Sequence, residues 1–235
     1  MPVDFERTAE YYDAMYGEED AYRREAGQVY ALAQEYGACG KLLDIACGTG
    51  LEAKYLSRYF SVTGVDLSRG MLEIAQKNVP GVRFMEGDMF ALPLEETFDI
   101  AVNLYGSIGF AKDREELAAA CREAARCLKK RGLFILTPWS TRETFAEGML
   151  ADSGERDGLF FCRMEAVRRD GPRHAEVVMK HLVGRNGEIR EFFQTQEITL
   201  FSEKEYRGAL ESAGFRIVSR LTEQEFRMGA FVCVK

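Results

Sequence analysis

Histidine, tryptophan and proline are scarce in this chain of 235 residues, with two, one and five copies respectively. The two histidines, His174 and His181, are an odd number of positions apart in a stretch that reads as strand. They would therefore face opposite sides of a sheet, and no metal site is expected. The cysteines (Cys39, Cys47, Cys121, Cys127, Cys162 and Cys233) form no CxxC pair, which excludes a zinc-ribbon spacing. They predict free, buried thiols in a reducing cytosol, and hence a cytoplasmic protein. No apolar run approaches the ~18 residues of a membrane span, and Met1–Glu10 carries no signal-peptide pattern. Basic charge is also in deficit: the net charge of -7 argues against a nucleic-acid or anionic-membrane surface. What is present, 46% hydrophobic residues, suffices for one full core with an embellishment.

Strands and helices alternate from about residue 41 onward. Leu42–Ala46 reads as a buried strand, Leu51–Phe60 as a helix, and Val62–Val65 as a second strand ending at Asp66. Ser68 is placed to cap a helix whose inner face is Met71, Leu72 and Ala75, and Pro80-Gly81 ends it. Val82–Met85, Phe98–Leu104 and Leu133–Thr137 are further strands, with a helix at Glu115–Leu128 before the last. Lys129-Lys130-Arg131 then reads as a solvated helix C-terminus. The alternation predicts an α/β, Rossmann-like, doubly wound sheet with ligands at the strand C-termini. After Pro138 the pattern changes to three strand-like runs, Leu159–Arg169, Arg173–Gly184 and Glu188–Leu200. Asp170-Gly171 and Asn186-Gly187 join them as hairpin turns, so this is an antiparallel insertion. A helix capped by Ser202 and Glu205 follows, ended by Gly214, and then two strands, Phe215–Thr222 and Met228–Val234. The sheet is thus seven-stranded and mostly parallel, with a terminal antiparallel strand.

The richest segment is Leu42–Gly50, LLDIACGTG, a buried strand delivering a glycine turn and a helix N-terminus to a crevice. Gly48, Gly50 and Ala53, with Asp66 downstream, formally fit a dinucleotide fingerprint. Three features favour S-adenosylmethionine (SAM) over a nicotinamide or flavin. DLSRGML pairs Asp66 with a capped helix carrying Met71. Gly87-Asp88-Met89 follows the third strand, where a carboxylate can accept from an adenine amino group. The chain also ends in a helix and a hairpin, not in a second mononucleotide-binding half.

LLDIACGTG, GVDLS and EGDM together, over residues 41–140, resemble the first three motifs of class I SAM-dependent methyltransferases. That resemblance implies that Gly48 and Gly50 pass the methionine moiety, that Asp66 holds the ribose hydroxyls, and that Asp88 with Met89 reads adenine. Asn103, Leu104 and Tyr105 would lie beside the sulfonium, and Asp44, Ala46, Cys47, Leu67 and Met71 complete the cofactor set. YYDAMY, NLYGSIGF, TPWSTRETF and EITLFSEKEY look like the sugar N,N-dimethyltransferases acting on nucleotide-linked aminosugars. This narrower resemblance implies a homodimer, and Tyr12 and Tyr22 touching SAM. The chain departs from that group at Phe110, where Ser-Ile-Gly-His is usual, and at Trp139-Ser140, where a double tryptophan is usual. Both departures fall on the acceptor side.

Methyl transfer from a sulfonium mainly needs positioning and desolvation, so a strong base is optional for a free amine. Tyr11, Tyr16 and Tyr105 are the catalytic candidates, able to hold an acceptor proton or face a cation. Any of them can instead be a half-buried packing residue, and Met71 a core residue. Ser107, Phe110, Trp139 and Arg227 are the substrate candidates. Residues 1–40 would form a helical cap over the cofactor, 41–140 and 201–235 the core, and 141–200 an acceptor lid or dimer contact. The expected function is methyl transfer from SAM to a small molecule, an amine nitrogen, leaving S-adenosylhomocysteine. O-methylation, a non-catalytic SAM-binding module and a nicotinamide oxidoreductase are the alternatives.

Overall fold

The computed structural model describes residues 5–235. Residues 1–4, the start of the stretch read above for a targeting signal, lie outside the described residues. Two helices, α1 (Phe5–Tyr16) and α2 (Glu19–Glu35), precede β1 (Lys41–Ile45), α3 (Leu51–Leu56), β2 (Ser61–Asp66), α4 (Arg69–Asn78) and β3 (Arg83–Glu86). Next come β4 (Phe98–Gly106), a single helical turn at Ser107–Phe110, α5 (Arg114–Cys127) and β5 (Leu128–Pro138). The insertion holds β6 (Gly148–Arg156), β7 (Leu159–Asp170), β8 (His174–Arg185) and β9 (Glu188–Thr199). The chain closes with α6 (Glu203–Ser212), β10 (Arg216–Leu221) and β11 (Ala230–Val234).

The main sheet has seven strands in the order β10-β11-β5-β4-β1-β2-β3. All pairs among β1 to β5 are parallel, and β11 runs antiparallel to both β5 and β10. Helices cover both faces, so the central strands read as continuous apolar runs rather than alternating ones. Neighbouring residues serve opposite layers. Leu43 packs with Leu117, Leu136 and Tyr206 beneath α5 and α6, while Leu42 packs with Val29, Tyr55 and Ile135 beneath α2 and α3. Ser68 caps α4 by accepting from the Met71 N–H, and Ser202 with Glu205 forms a reciprocal capping box at α6.

Several boundaries differ from the sequence expectation. The helix after the glycine turn ends at Leu56 rather than Phe60. Strand β5 starts at Leu128, which pairs with Phe98, so Lys129-Lys130-Arg131 belongs to a strand and not to a helix terminus. Lys129 Nζ instead meets Asp99 at 2.7 Å. The insertion sheet has four strands, not three. Its first, β6, is exposed along its whole length and reads GMLADSGER, without the apolar alternation that marks a strand. The cysteines are all free, but Cys39 and Cys162 are exposed rather than buried. Strand alternation accounts for Cys162, which shares the outward face of β7 with Phe160 and Met164. Among the described residues no helix is long and apolar enough to cross a membrane.

Candidate active site

The C-terminal edge of β1 turns abruptly: Ala46, Gly48 and Gly50 all have positive φ, at 63°, 53° and 73°. At Gly50 a side chain is excluded twice over, since a Cβ would also come within 2.9 Å of Phe84 and 3.0 Å of Ala75. The Cys47 N–H donates to the Val65 carbonyl at 3.0 Å, tying the turn to β2. Asp66 completes that tie. One carboxylate oxygen accepts from the Gly48 N–H at 2.8 Å and the other from the Ser68 N–H at 2.9 Å. A carboxylate has about four acceptor directions, so it accommodates backbone donors together with a ligand's hydroxyls.

Around this turn lies an unusual density of carboxylates. Asp44 is only 3% exposed, and burial together with the charge of Asp66 pushes its carboxyl up to about 7. One of its oxygens, and the amide oxygen of Asn103, are buried without a hydrogen-bond partner among the described residues. The Asn103 amide donates instead to the Ile45 carbonyl at 3.0 Å, linking β4 to β1. Leu104 is buried beside it. Asp88 accepts from the Phe90 N–H at 2.9 Å in a local turn, and Met89 packs partly buried against the core.

Tyr105, which follows Leu104 with φ at 56°, sits between two acidic side chains. Its hydroxyl reaches Glu25 on α2 and Glu52 on α3, the latter at 2.6 Å. Both glutamates are almost fully enclosed, 4% and 5% exposed, and each retains one oxygen without a partner among the described residues. A phenol offers one proton to two carboxylates, so at least one glutamate must carry a proton of its own. Burial accordingly holds both glutamates above the usual carboxylate range. Tyr22 meets Tyr105 edge-on with ring centroids 5.2 Å apart, and the exposed Arg227 lies 5.6 Å from the other ring.

Helix α1 crosses the glycine turn. Asp13 accepts from the Thr49 hydroxyl and, at 2.8 Å, from the Asn78 amide. This brings Tyr12 and Tyr16, one helical turn apart, to the edge of the site with ring centroids 4.8 Å apart. Burial first, then the charges of Asp13, Asp66 and Glu165, push the Tyr12 hydroxyl up to about 12. Tyr16 points its hydroxyl at the insertion, donating to Glu165 at 2.6 Å with His181 Nε2 at 3.2 Å. The same hydroxyl lies 3.8 Å from the Met179 sulfur. Met179 in turn packs with Val177 and Ile198 against Phe110 and Trp139. Ser107 opens the helical turn, its hydroxyl directed at the Leu104 carbonyl.

Tyr11 does not join them. It faces the other side of α1, its ring 5.5 Å from Phe192 and its oxygen accepting from Arg190 at 2.9 Å. Packing of α1 on the insertion explains it fully. Met71 is likewise buried in the core beside Ala75, whereas Leu67 is 68% exposed at the mouth of the turn.

Glu25, Glu52, Glu165 and His181 were not anticipated, although two of them left a signal. Glu25 falls on the apolar stripe of α2 with Tyr22, Ala26, Val29 and Ala33, a position where a charge needs a reason. His181 likewise interrupts the inward row Val177, Met179, Val183 of β8.

The donor set decides between the two ligands that the turn alone allowed. A dinucleotide brings a pyrophosphate and wants N–H groups and cations; here, besides Asp66, which suits the ribose of either ligand, Asp44, Glu25 and Glu52 surround the turn with acids. SAM brings a sulfonium, an ammonium and a vicinal diol, each of which suits carboxylates. Sheet order, glycine turn and acidic surround define a class I SAM-dependent methyltransferase. A family model described as a methyltransferase domain matches residues 42–132. The chain is 34% identical to a dTDP-3-amino-3,4,6-trideoxy-alpha-D-glucopyranose N,N-dimethyltransferase of Streptomyces venezuelae, over 89% of this chain and 90% of the relative. The crystal structure of Streptomyces venezuelae DesVI superimposes with a TM-score of 0.90 at 32% identity, covering 100% of this chain and 99% of that one. SAM-bound CalS10 of Micromonospora echinaspora, an amino pentose methyltransferase, gives 0.84 at 30% identity, over 95% of each chain. The chain belongs to the SAM-dependent methyltransferase family that contains these sugar N-methyltransferases, and it is an enzyme using SAM as its methyl donor.

Proposed function

We propose that the enzyme methylates the amine nitrogen of a nucleotide-linked aminosugar. The observation that carries this reading is the phenol of Tyr16, held by Glu165 beside the apolar wall of Phe110, Trp139 and Met179. An amine is a strong nucleophile once its nitrogen is unprotonated and desolvated, and such a wall with one acidic partner meets both needs. The names of the aminosugar N-methyltransferase relatives point the same way. SAM supplies the activated methyl; this chain's residues bind, orient and dehydrate the two reactants. Asp66 binds the ribose hydroxyls, with Leu67 at the mouth of that subsite, and Asp88 with Met89 faces the adenine. Gly48 and Gly50, with Ala46 and Cys47, let the methionine end approach the backbone, and Asp44 and Asn103 orient that turn. Tyr12, Tyr22, Leu104 and Tyr105 enclose the sulfonium, Tyr16 meets the acceptor nitrogen, and Ser107, Phe110, Trp139 and Arg227 border the sugar. Tyr11 and Met71 serve packing.

In this reading α1 and α2 are the cofactor cap and residues 141–200 the acceptor lid. Radiolabelled methyl transfer from SAM to dTDP-linked amino sugars, each paired with its hydroxy analogue, tests it. Product is expected with the amines alone; transfer to the hydroxy sugars alone would overturn the proposal.

The insertion also has a second role here, as a dimer contact. Met149, Phe160, Met164, Leu182, Ile189 and Phe193 are exposed, and their cross-strand register places them on its outward face. A sheet face with this many exposed apolar side chains, interrupted by the Lys180–Glu191 pair, invites a second copy of the chain. Sedimentation equilibrium of the cytoplasmic enzyme should give twice the chain mass, reduced to one by Phe160→Glu with Phe193→Glu. A monomeric wild type would remove the dimer from the proposal.

A further inference from the structure

The buried row on β8 contains one side chain that packing does not explain. His181 is 2% exposed, yet its Nδ1 has no hydrogen-bond partner among the described residues. Its Nε2 lies 3.2 Å from the Tyr16 hydroxyl and 3.8 Å from the Glu165 carboxylate. Enclosing an imidazole with an unsatisfied nitrogen costs stability, and a leucine or valine would fill the row without that cost. The groups facing it are few. From α1 comes Tyr16, and from β7 come Glu165 and the cross-strand neighbour Arg163, while β9 presents Phe192 opposite. Arg163 is already engaged: its guanidinium holds Asp152 at 2.6 Å and covers the Tyr16 ring at 4.4 Å. It fixes the ring and compensates Glu165, 3.7 Å away, without closing off His181.

We infer that Tyr16, His181 and Glu165 form a proton relay that unmasks the acceptor amine, with Tyr16 as its contact to substrate. This rests on the amine reading above. Near neutral pH an alkyl amine arrives as ammonium, with no lone pair to attack. The ammonium gives a proton to the Tyr16 oxygen as the hydroxyl turns from Glu165 and its own proton passes to His181 Nε2. The resulting imidazolium is balanced by the Glu165 carboxylate. The free nitrogen lone pair then forms the N–C bond while the S–C electron pair leaves with sulfur. The products are S-adenosylhomocysteine and a methylated ammonium. After product departs, the imidazolium returns its proton through Tyr16 to water. His181 and Glu165 act through Tyr16, and are positioning and proton-holding residues rather than contacts to the sugar. Burial raises the Glu165 carboxyl, but the proximity of His181, the hydrogen bond from Tyr16 and the charge of Arg163 outweigh it. Glu165 therefore remains an anion, as the relay requires.

Two measurements test the relay, one of them independent of any acceptor. With only two histidines in the chain, His181→Gln assigns both imidazoles in a ¹⁵N-histidine NMR titration of the enzyme with S-adenosylhomocysteine. The ring signals are expected to show Nε2 as the proton-accepting nitrogen of His181, and Tyr16→Phe and Glu165→Gln are each expected to shift its signal. An Nε2 that holds the proton in the resting enzyme, or whose signal ignores both substitutions, overturns the relay whatever the acceptor proves to be. The second measurement is kcat/KM against pH with dTDP-3-amino-3,6-dideoxyglucopyranose, with SAM affinity measured in parallel. His181→Gln and Tyr16→Phe should each lose at least roughly tenfold near pH 7 and recover to within about threefold above the amine's own pKa. A deficit equal at all pH values marks a packing role and sinks the relay. Turnover of hydroxy sugars alone refutes the amine reading instead, leaving the NMR result to decide whether the three groups exchange protons.

Discussion

Asp66→Ala is expected to weaken SAM binding by at least about 2 kcal/mol, roughly thirtyfold. Two losses combine. In the proposed site the ribose hydroxyls lose an ionised acceptor, which for charged hydrogen bonds is worth ~1.5–3 kcal/mol. The glycine turn loses its side-chain tie to β2, keeping only the Cys47–Val65 backbone bond, because the same carboxylate accepts from Gly48 and Ser68 at 2.8 and 2.9 Å. The positive-φ run from Ala46 to Gly50 then has to be ordered by the ligand itself. Asp66→Asn separates the contributions. Its amide can accept one backbone bond but turns a donor toward the other N–H, so it should fall near the alanine variant rather than near wild type. Isothermal calorimetry with SAM and S-adenosylhomocysteine is the measurement, and both ligands should suffer equally, since the ribose is common to them. Unchanged affinity in both variants would remove Asp66 from the cofactor site.

How much of this was legible beforehand depended on whether the signal was local. Buried parallel strands, the glycine turn, the Ser68 and Ser202 caps and both hairpin dipeptides are local grammar, and each is found where the chain spells it. Strand β6 was invisible because an edge strand exposed on both faces carries no alternation to read. Site chemistry failed differently. Tyr11, Tyr12 and Tyr16 are indistinguishable as residue types, and only the facing of α1 separates Tyr11, on Arg190, from Tyr16, on Glu165. The two histidines do lie on opposite faces of β8, as their odd spacing requires, but that spacing bears only on shared metal ligation and carries no sign of what a single buried histidine can do. Glu25, Glu52 and Tyr105 come from α2, α3 and the end of β4, and their meeting is a property of the packed layers alone.

That meeting sets the second large effect: Glu52→Gln should make the protein more stable at pH 8, by about 1–3 kcal/mol, the usual cost of a poorly satisfied buried polar group. Burial raises both Glu52 and Glu25, with Glu52 raised further by the charges of Glu25 and Asp44. In the unfolded chain both ionise near the ordinary ~4.3. The unfolded state thus sheds its protons first as pH climbs. The stability that these carboxyls contribute is complete below that value and is lost as pH rises through their folded values. A glutamine holds the same shape, needs no proton, and offers a carbonyl oxygen to the Tyr105 hydroxyl. Urea denaturation from pH 4.5 to 8 should show wild type losing stability more steeply than the variant, the two converging at the acid end. Asp44, whose carboxyl is also raised, slopes both curves in the same direction and largely cancels on subtraction. Parallel curves would mean that Glu52 shares no proton with its neighbours. SAM affinity should move the opposite way, because the substitution removes an ionisable acid from the proposed surround of a ligand that carries a sulfonium and an ammonium. A more stable protein that binds its methyl donor less well would identify the buried acids as retained for binding rather than for folding.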